Sequence, residues 1–228
     1  MKIITTNNKK ELSKKASEIL LKELVKKPDL TIGFATGSTP LELYKELIKS
    51  KKDFSQVTTF NLDEYYPIKK NNPLSFYHYM YKNLFNHLKF KEINLLDGET
   101  KNPQKECQDY ENKIKQIDLQ ILGIGTNGHI GFNEPGTSFN SKTRLINLTK
   151  QTQEDNTKLE GSKVPEKAMT MGLKTIMKAK KIILIASNKN KEKAIQKLIN
   201  GKITENHPAS ILKNHKDVTI IITKEIIL

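Results

Sequence analysis

Cysteine is nearly absent from this 228-residue chain, where Cys107 stands alone. One thiol cannot close an internal disulfide, so a disulfide scaffold is excluded and the cytoplasm is the expected location. Arginine is as scarce, with Arg144 the only one in a Lys-plus-Arg total of 39. Proteins that read nucleic acid lean on arginine for bidentate and stacking contacts. The net charge of +14 is therefore read as a solvated lysine surface that attracts small anions, and no nucleic-acid partner is expected. No apolar run approaches the ~20 residues of a membrane span, and the opening MKIITTNNKKELSKK lacks the apolar core of a secretory signal. No Cys/His or paired-His spacing fits a zinc site, so no metal is expected. No P-loop ending and no G-x-S-x-G nucleophile elbow occurs. Internal repeats, low-complexity blocks and domain linkers are missing too, which predicts one domain over residues 1–228.

What is present is alternation. Hydrophobic residues make up 36% of the chain, and they recur in periodic segments nearly from end to end. Helical spacing marks residues 8–26, 41–50, 75–88, 103–115, 173–179 and 189–200. Short apolar runs mark strands at 30–34, 57–62, 93–96, 117–122, 144–148, 181–186 and 218–223, with 168–171 extended. Residues 151–163 are polar and weakly periodic, and read as a lid. Strands alternating with helices predict a three-layer α/β fold, a mostly parallel Rossmann-like sheet with helices on both faces. Right-handed crossovers would bring the segments 35–39, 63–66, 123–135 and 187–191 to the carboxyl edge of that sheet.

Each of those segments carries polar chemistry. In ATGSTP, Pro40 suits the first turn of a helix and Thr39 its N-cap. A strand, a small-residue turn and a helix present backbone N–H groups to an anion. The strand at 57–62 runs into Asp63-Glu64-Tyr65-Tyr66, which puts two acids where α/β folds keep catalytic groups. GIGTNGHIGFNEP, at 123–135, places His129 between Gly128 and Gly131, five residues before Glu134. A carboxylate in the same tight loop can orient the imidazole, fix its tautomer and prepare it for acid–base work. The glycines formally match G-x-G-x-x-G. However, Pro135 forbids a long helix directly after them, and no second strand ending in an acid follows at the required distance, so a dinucleotide is not expected.

FNLDEYY at 60–66 and GIGTNGHIGFNEPGTS at 123–138 closely resemble the glucosamine-6-phosphate deaminase family. ATGSTPLELY, SFYHYMYKNLF, INLLDG, VPEKAMTMG and the segment 187–201 align with it in order, so the resemblance covers essentially the whole chain. The related 6-phosphogluconolactonases carry Asp-Glu-Arg where this chain has Asp63-Glu64-Tyr65. They also continue Gly-His with a Thr-Ala-Ser-Leu-Phe-like run, so they are the alternative reading. The resemblance implies conversion of glucosamine 6-phosphate to fructose 6-phosphate and ammonia, without metal or organic cofactor. It implies Asp63 as the base between C2 and C1, His129 as the ring-opening acid–base group, and Glu134 as its orienting partner. Glu64 is expected to be structural. Asn127 stands where many members have Asp; it can hydrogen-bond but brings no charge, so the pH optimum would rest more on Glu134. The phosphate is expected on Thr36, Gly37, Ser38 and Thr39, with Lys191 as the phosphate lysine. Lys158 aligns with a lid residue that is often Arg in the family; it keeps the charge but lacks the fork. Allosteric hexameric members carry a longer C-terminus, so a monomeric, non-allosteric form is expected.

Overall fold

The computed structural model describes residues 1–228, the side chains of Leu159 and Glu160 excepted. The chain opens with β1 (Lys2–Thr6) and α1 (Lys9–Lys26), whose N-cap Asn8 accepts the Glu11 N–H. β2 (Thr31–Phe34), α2 (Ser38–Lys49), β3 (Thr58–Asn61) and β4 (Asp63–Tyr66) follow. Next come α3 (Phe76–Met80), β5 (Glu92–Asn94), α4 (Pro103–Lys113) and β6 (Leu119–Leu122). The remainder is β7 (Arg144–Asn147), α5 (Lys150–Glu160), β8 (Lys167–Thr170), α6 (Leu173–Ile176), β9 (Lys181–Ala186), α7 (Glu192–Asn200) and β10 (Val218–Thr223). No described helix is long and apolar enough to cross a membrane.

Seven strands form one parallel sheet in the order β1-β10-β9-β6-β2-β3-β5. The central runs KIILIA and VTIIIT are apolar almost throughout because both faces of the sheet are covered. Alternate residues feed opposite cores. Ile183, Ile185 and Ile221 pack with Leu12 and Leu20 of α1 and Leu43 and Leu47 of α2. Ile182, Leu184, Ile220 and Ile222 pack with Tyr110, Leu173, Ile195 and Leu198 on the other side. This is the expected three-layer α/β architecture.

Several local expectations are corrected. The run at 57–66 is two strands, not a strand and a loop. β3 ends at Asn61, and after Leu62 the chain enters a second, antiparallel sheet of order β4-β8-β7. Asp63 and Glu64 therefore sit on a strand and point to opposite faces. The segments 144–148 and 168–171 belong to this small sheet. α2 begins at Ser38, two residues before the expected Pro40 start, and its N-cap is Gly37 rather than Thr39. Gly37 has φ +111°, a conformation that only glycine adopts without strain. The helix expected at 75–88 is α3 followed by a π-helical turn over Tyr81–Phe85. The polar stretch read as a lid contains the regular helix α5, capped by Thr149.

Candidate active site

A cavity of about 530 Å³ opens at the carboxyl edge of the parallel sheet. Four of the sequence segments meet in it, through Ala35–Thr39, Asp63, Gly123–Gly125 with His129, and Asn188 with Lys191.

Strand alternation divides the work of the two acids. Glu64 turns away from the cavity and takes four hydrogen bonds: from the N–H groups of Tyr65, Phe76 and Tyr77, each at 2.9 Å, and from Ser75 Oγ at 2.8 Å. It thus caps the first turn of α3. Burial raises its carboxyl above the ordinary value, against the pull of those bonds. Asp63 faces the cavity, only 6% exposed. No hydrogen bond or ion pair reaches its carboxyl among the described residues. Burial, and then the neighbouring Glu64, push it up to about 8. An unpaired, buried carboxyl of that kind keeps its proton at neutral pH and becomes a strong base once it ionises.

The turn after β6 holds the second set of groups. His129 lines the cavity, with Nδ1 facing Glu134 Oε1 at 3.6 Å. That is longer than a hydrogen bond, and Nδ1 is buried with no hydrogen-bond partner. The two groups therefore face each other with no hydrogen bond formed between them. Gly125 makes room for the ring, since a Cβ there would fall 2.2 Å from His129 Cε1. Asn127 donates from Nδ2 to Glu134 Oε2 at 2.8 Å and accepts the His129 N–H on Oδ1 at 3.1 Å. Its amide thus ties both partners together without a charge. Thr152 donates to Glu134 Oε1 at 2.5 Å. Burial opposes the Glu134 charge, but His129, Thr152 and Asn127 outweigh it and hold the carboxyl at about 2.

The anion end is built by the first turn of α2. Thr36, Gly37, Ser38 and Thr39 line the cavity where the helix N-terminus leaves backbone N–H groups unpaired. Tyr79 donates to Gly37 O at 2.6 Å, and the Thr39 and Ser187 hydroxyls pair at 3.1 Å across the turn. Lys191 lines the same region, and burial pulls its ammonium below the ordinary lysine value. Lys158 lies apart: it is exposed on α5 and does not line the cavity. Asn127 is exposed and does not line the cavity.

Sequence reasoning did not single out the cavity's aromatic wall. Tyr65, Phe76 and Phe132 pack together, Phe76 and Phe132 stacked at 5.9 Å between centroids. Asn156 of α5 donates to Tyr65 Oη at 2.8 Å. The signal available was spacing: Thr152 and Asn156 lie one helical turn apart. Among the described residues no group of three or more His, Cys, Asp or Glu side chains is placed to hold a metal ion.

The sequence profile of the glucosamine-6-phosphate isomerases/6-phosphogluconolactonases matches residues 7–221. A glucosamine-6-phosphate deaminase of Clostridium novyi (strain NT) is 54% identical over 99% of this chain and 98% of its own length. One of Clostridium botulinum (strain Loch Maree / Type A3) is 51% identical over 99% and 97%. The solved structure of a monomeric glucosamine-6-phosphate deaminase superposes with a TM-score of 0.95 at 40% identity, covering 99% of this chain and 98% of that one. A 6-phosphogluconolactonase from Trypanosoma cruzi superposes at 0.83 with 23% identity over 99% and 95%, a likeness of fold alone.

Proposed function

The chain belongs to the family of glucosamine-6-phosphate isomerases and 6-phosphogluconolactonases, and from that premise we propose that it converts glucosamine 6-phosphate and water to fructose 6-phosphate and ammonia. The observation that carries the reading is the meeting of an unpaired Asp63 and a His129–Glu134 pair in one cavity that ends in a helix N-terminus.

The phosphate dianion docks on the N–H groups of Ser38 and Thr39, with Lys191 supplying the counter-charge. This fixes the sugar's far end and aims C1 and C2 at the acid–base groups. His129 passes a proton to the ring oxygen as the C1–O bond breaks and takes up the proton that the C1 hydroxyl gives up. The product is the open aldehyde. Glu134 faces Nδ1 and holds the ring in place during the transfer. Asp63, as carboxylate, removes the proton from C2, the electron pair forms the C1–C2 double bond, and the C2 ammonium passes a proton to the C1 oxygen, giving the enolamine. Returning that proton to C1 leaves an imine at C2. Water adds to the imine carbon, the C–N bond breaks, and ammonia departs with fructose 6-phosphate remaining. Each positioned proton transfer contributes roughly 10²–10⁴-fold. The unpaired carboxyl suits a substrate with an ammonium group at C2, because a cation there draws Asp63 into its working charge state. The monomeric relative supports a monomer for this chain, and a phosphorylated sugar substrate supports a cytoplasmic location.

The test is an ammonium-release assay on purified protein with glucosamine 6-phosphate, beside Asp63→Asn. Release by the wild type and its loss in the variant support the reading. No release, together with hydrolysis of 6-phosphogluconolactone, overturns it. A size-exclusion mass of one chain supports the monomer, and a hexamer refutes it.

A further inference from the structure

α5 reads KQTQEDNTKLE, and among its described residues only Thr152 is buried. Its described side chains form no apolar stripe, and directed bonds tie them to the rest of the fold. Two of those bonds leave one face, a turn apart, and both end on walls of the active site. One is Asn156 to Tyr65 Oη, and the other is Thr152 to Glu134 Oε1. The second is the end of a chain with a fixed direction. Thr149 Oγ1 donates to Thr152 Oγ1 at 3.1 Å, so the Thr152 proton is left for Glu134. The oxygen it reaches is the one 3.6 Å from His129 Nδ1, while Asn127 holds the other oxygen.

We propose that Thr152 is a positioning residue: its hydroxyl, fixed by Thr149, aims Glu134 Oε1 at His129 during ring opening. This rests on the deaminase reading. The bond is not needed to cap the helix. Capping uses the Thr152 backbone N–H, which donates to Thr149 Oγ1 at 3.2 Å and survives any side chain at 152. Thr152→Val keeps the shape and the cap and removes the hydroxyl, both the donor to Glu134 and the acceptor for Thr149.

The experiment compares wild type, Thr152→Val and Thr152→Ser in two assays. One is ammonium release with glucosamine 6-phosphate, with binding of an acyclic amino-alditol 6-phosphate, which has no ring to open, as a control. The other is a carbon-13 NMR titration of the Glu134 carboxyl. The valine variant should lose about 10- to 30-fold in kcat, the scale of one hydrogen bond to a charged group. Its KM and the inhibitor affinity should stay within about twofold. Serine should restore kcat to within about threefold, and only valine should raise the Glu134 titration midpoint. Wild-type kcat in the valine variant, an equal loss in both variants, or a loss carried by KM would overturn the proposal. If the wild type releases no ammonium, the deaminase reading falls and with it the ring-opening role; an unmoved Glu134 titration in the valine variant then removes the clamp as well.

Discussion

Replacing Asp63 with Asn should make the protein more stable while abolishing its chemistry. The ordinary carboxyl value is 3.8 and the folded one is about 8. The fold thus opposes ionisation by about four pH units, or ~5–6 kcal/mol at 1.36 kcal/mol per unit if the site were rigid and dry. Relaxation and water entering the cavity reduce this, and about 2–4 kcal/mol is the expected gain. The sign follows from proton counting. Between 3.8 and about 8 the folded state keeps a proton that the unfolded chain has lost, so stability falls as pH rises through that window and levels off above it. Asn has no proton to lose. The advantage of Asp63→Asn should therefore be small near pH 5, grow through neutrality and reach a plateau above pH 8. For a chain of this size it corresponds to about 5–15 °C in melting temperature. Thermal and urea melts at pH 5.5, 7 and 8.5 measure it, alongside an ammonium assay in which activity should drop ~10²–10⁴-fold. A variant less stable at pH 8.5, or one with the same advantage at every pH, would refute the burial argument.

Three further outcomes follow from the same geometry. In the free enzyme Asp63 must ionise to act as base, so kcat/KM should fall about tenfold per pH unit below 8; a flat profile from pH 6 to 8 would contradict this. Lys191→Met should raise KM about 10- to 100-fold with kcat within a few-fold, because the lysine holds the phosphate and not the reacting carbons; steady-state kinetics separate the two. Glu64→Ala strips the shared acceptor from the Tyr65 N–H of β4 and from two N–H groups and a hydroxyl at the start of α3, costing about 3 kcal/mol or more and lowering the melting temperature by about 6–12 °C; an unchanged melt would deny the capping role.

The main sheet was legible because buried parallel strands announce themselves as uninterrupted apolar runs, KIILIA above all. The His129 loop was legible because its partners lie within a few residues of one another. Position marked Asp63 and Glu64 together, and only the resemblance singled out Asp63; the strand that carries both was misread. The stretch at 57–66 is β-prone throughout, and nothing in it marks Leu62 as the place where the chain changes sheets. That change is dictated by pairing with Lys167–Thr170, which no local pattern encodes. α2 starts early because a dihedral angle, not a side-chain type, sets its cap. α5 escaped periodicity for a related reason: its docking depends on single hydrogen bonds, so Thr152 and Asn156 left no stripe. Lys158, chosen by alignment with a lid position, lies on the exposed face of that helix.

The strand order has a consequence for how the protein is made. β1, the first strand to be synthesised, has one partner in the parallel sheet, and that partner is β10, the last. Until Val218–Thr223 has left the ribosome, β9 presents an open edge and β1 has nothing to join. A truncation that removes β10 therefore takes two strands from the sheet, not one. It also bares the apolar flank of the strand that delivers Asn188 and Lys191 to the cavity. The apolar edge of β9 therefore stays open to other strands until β10 is made.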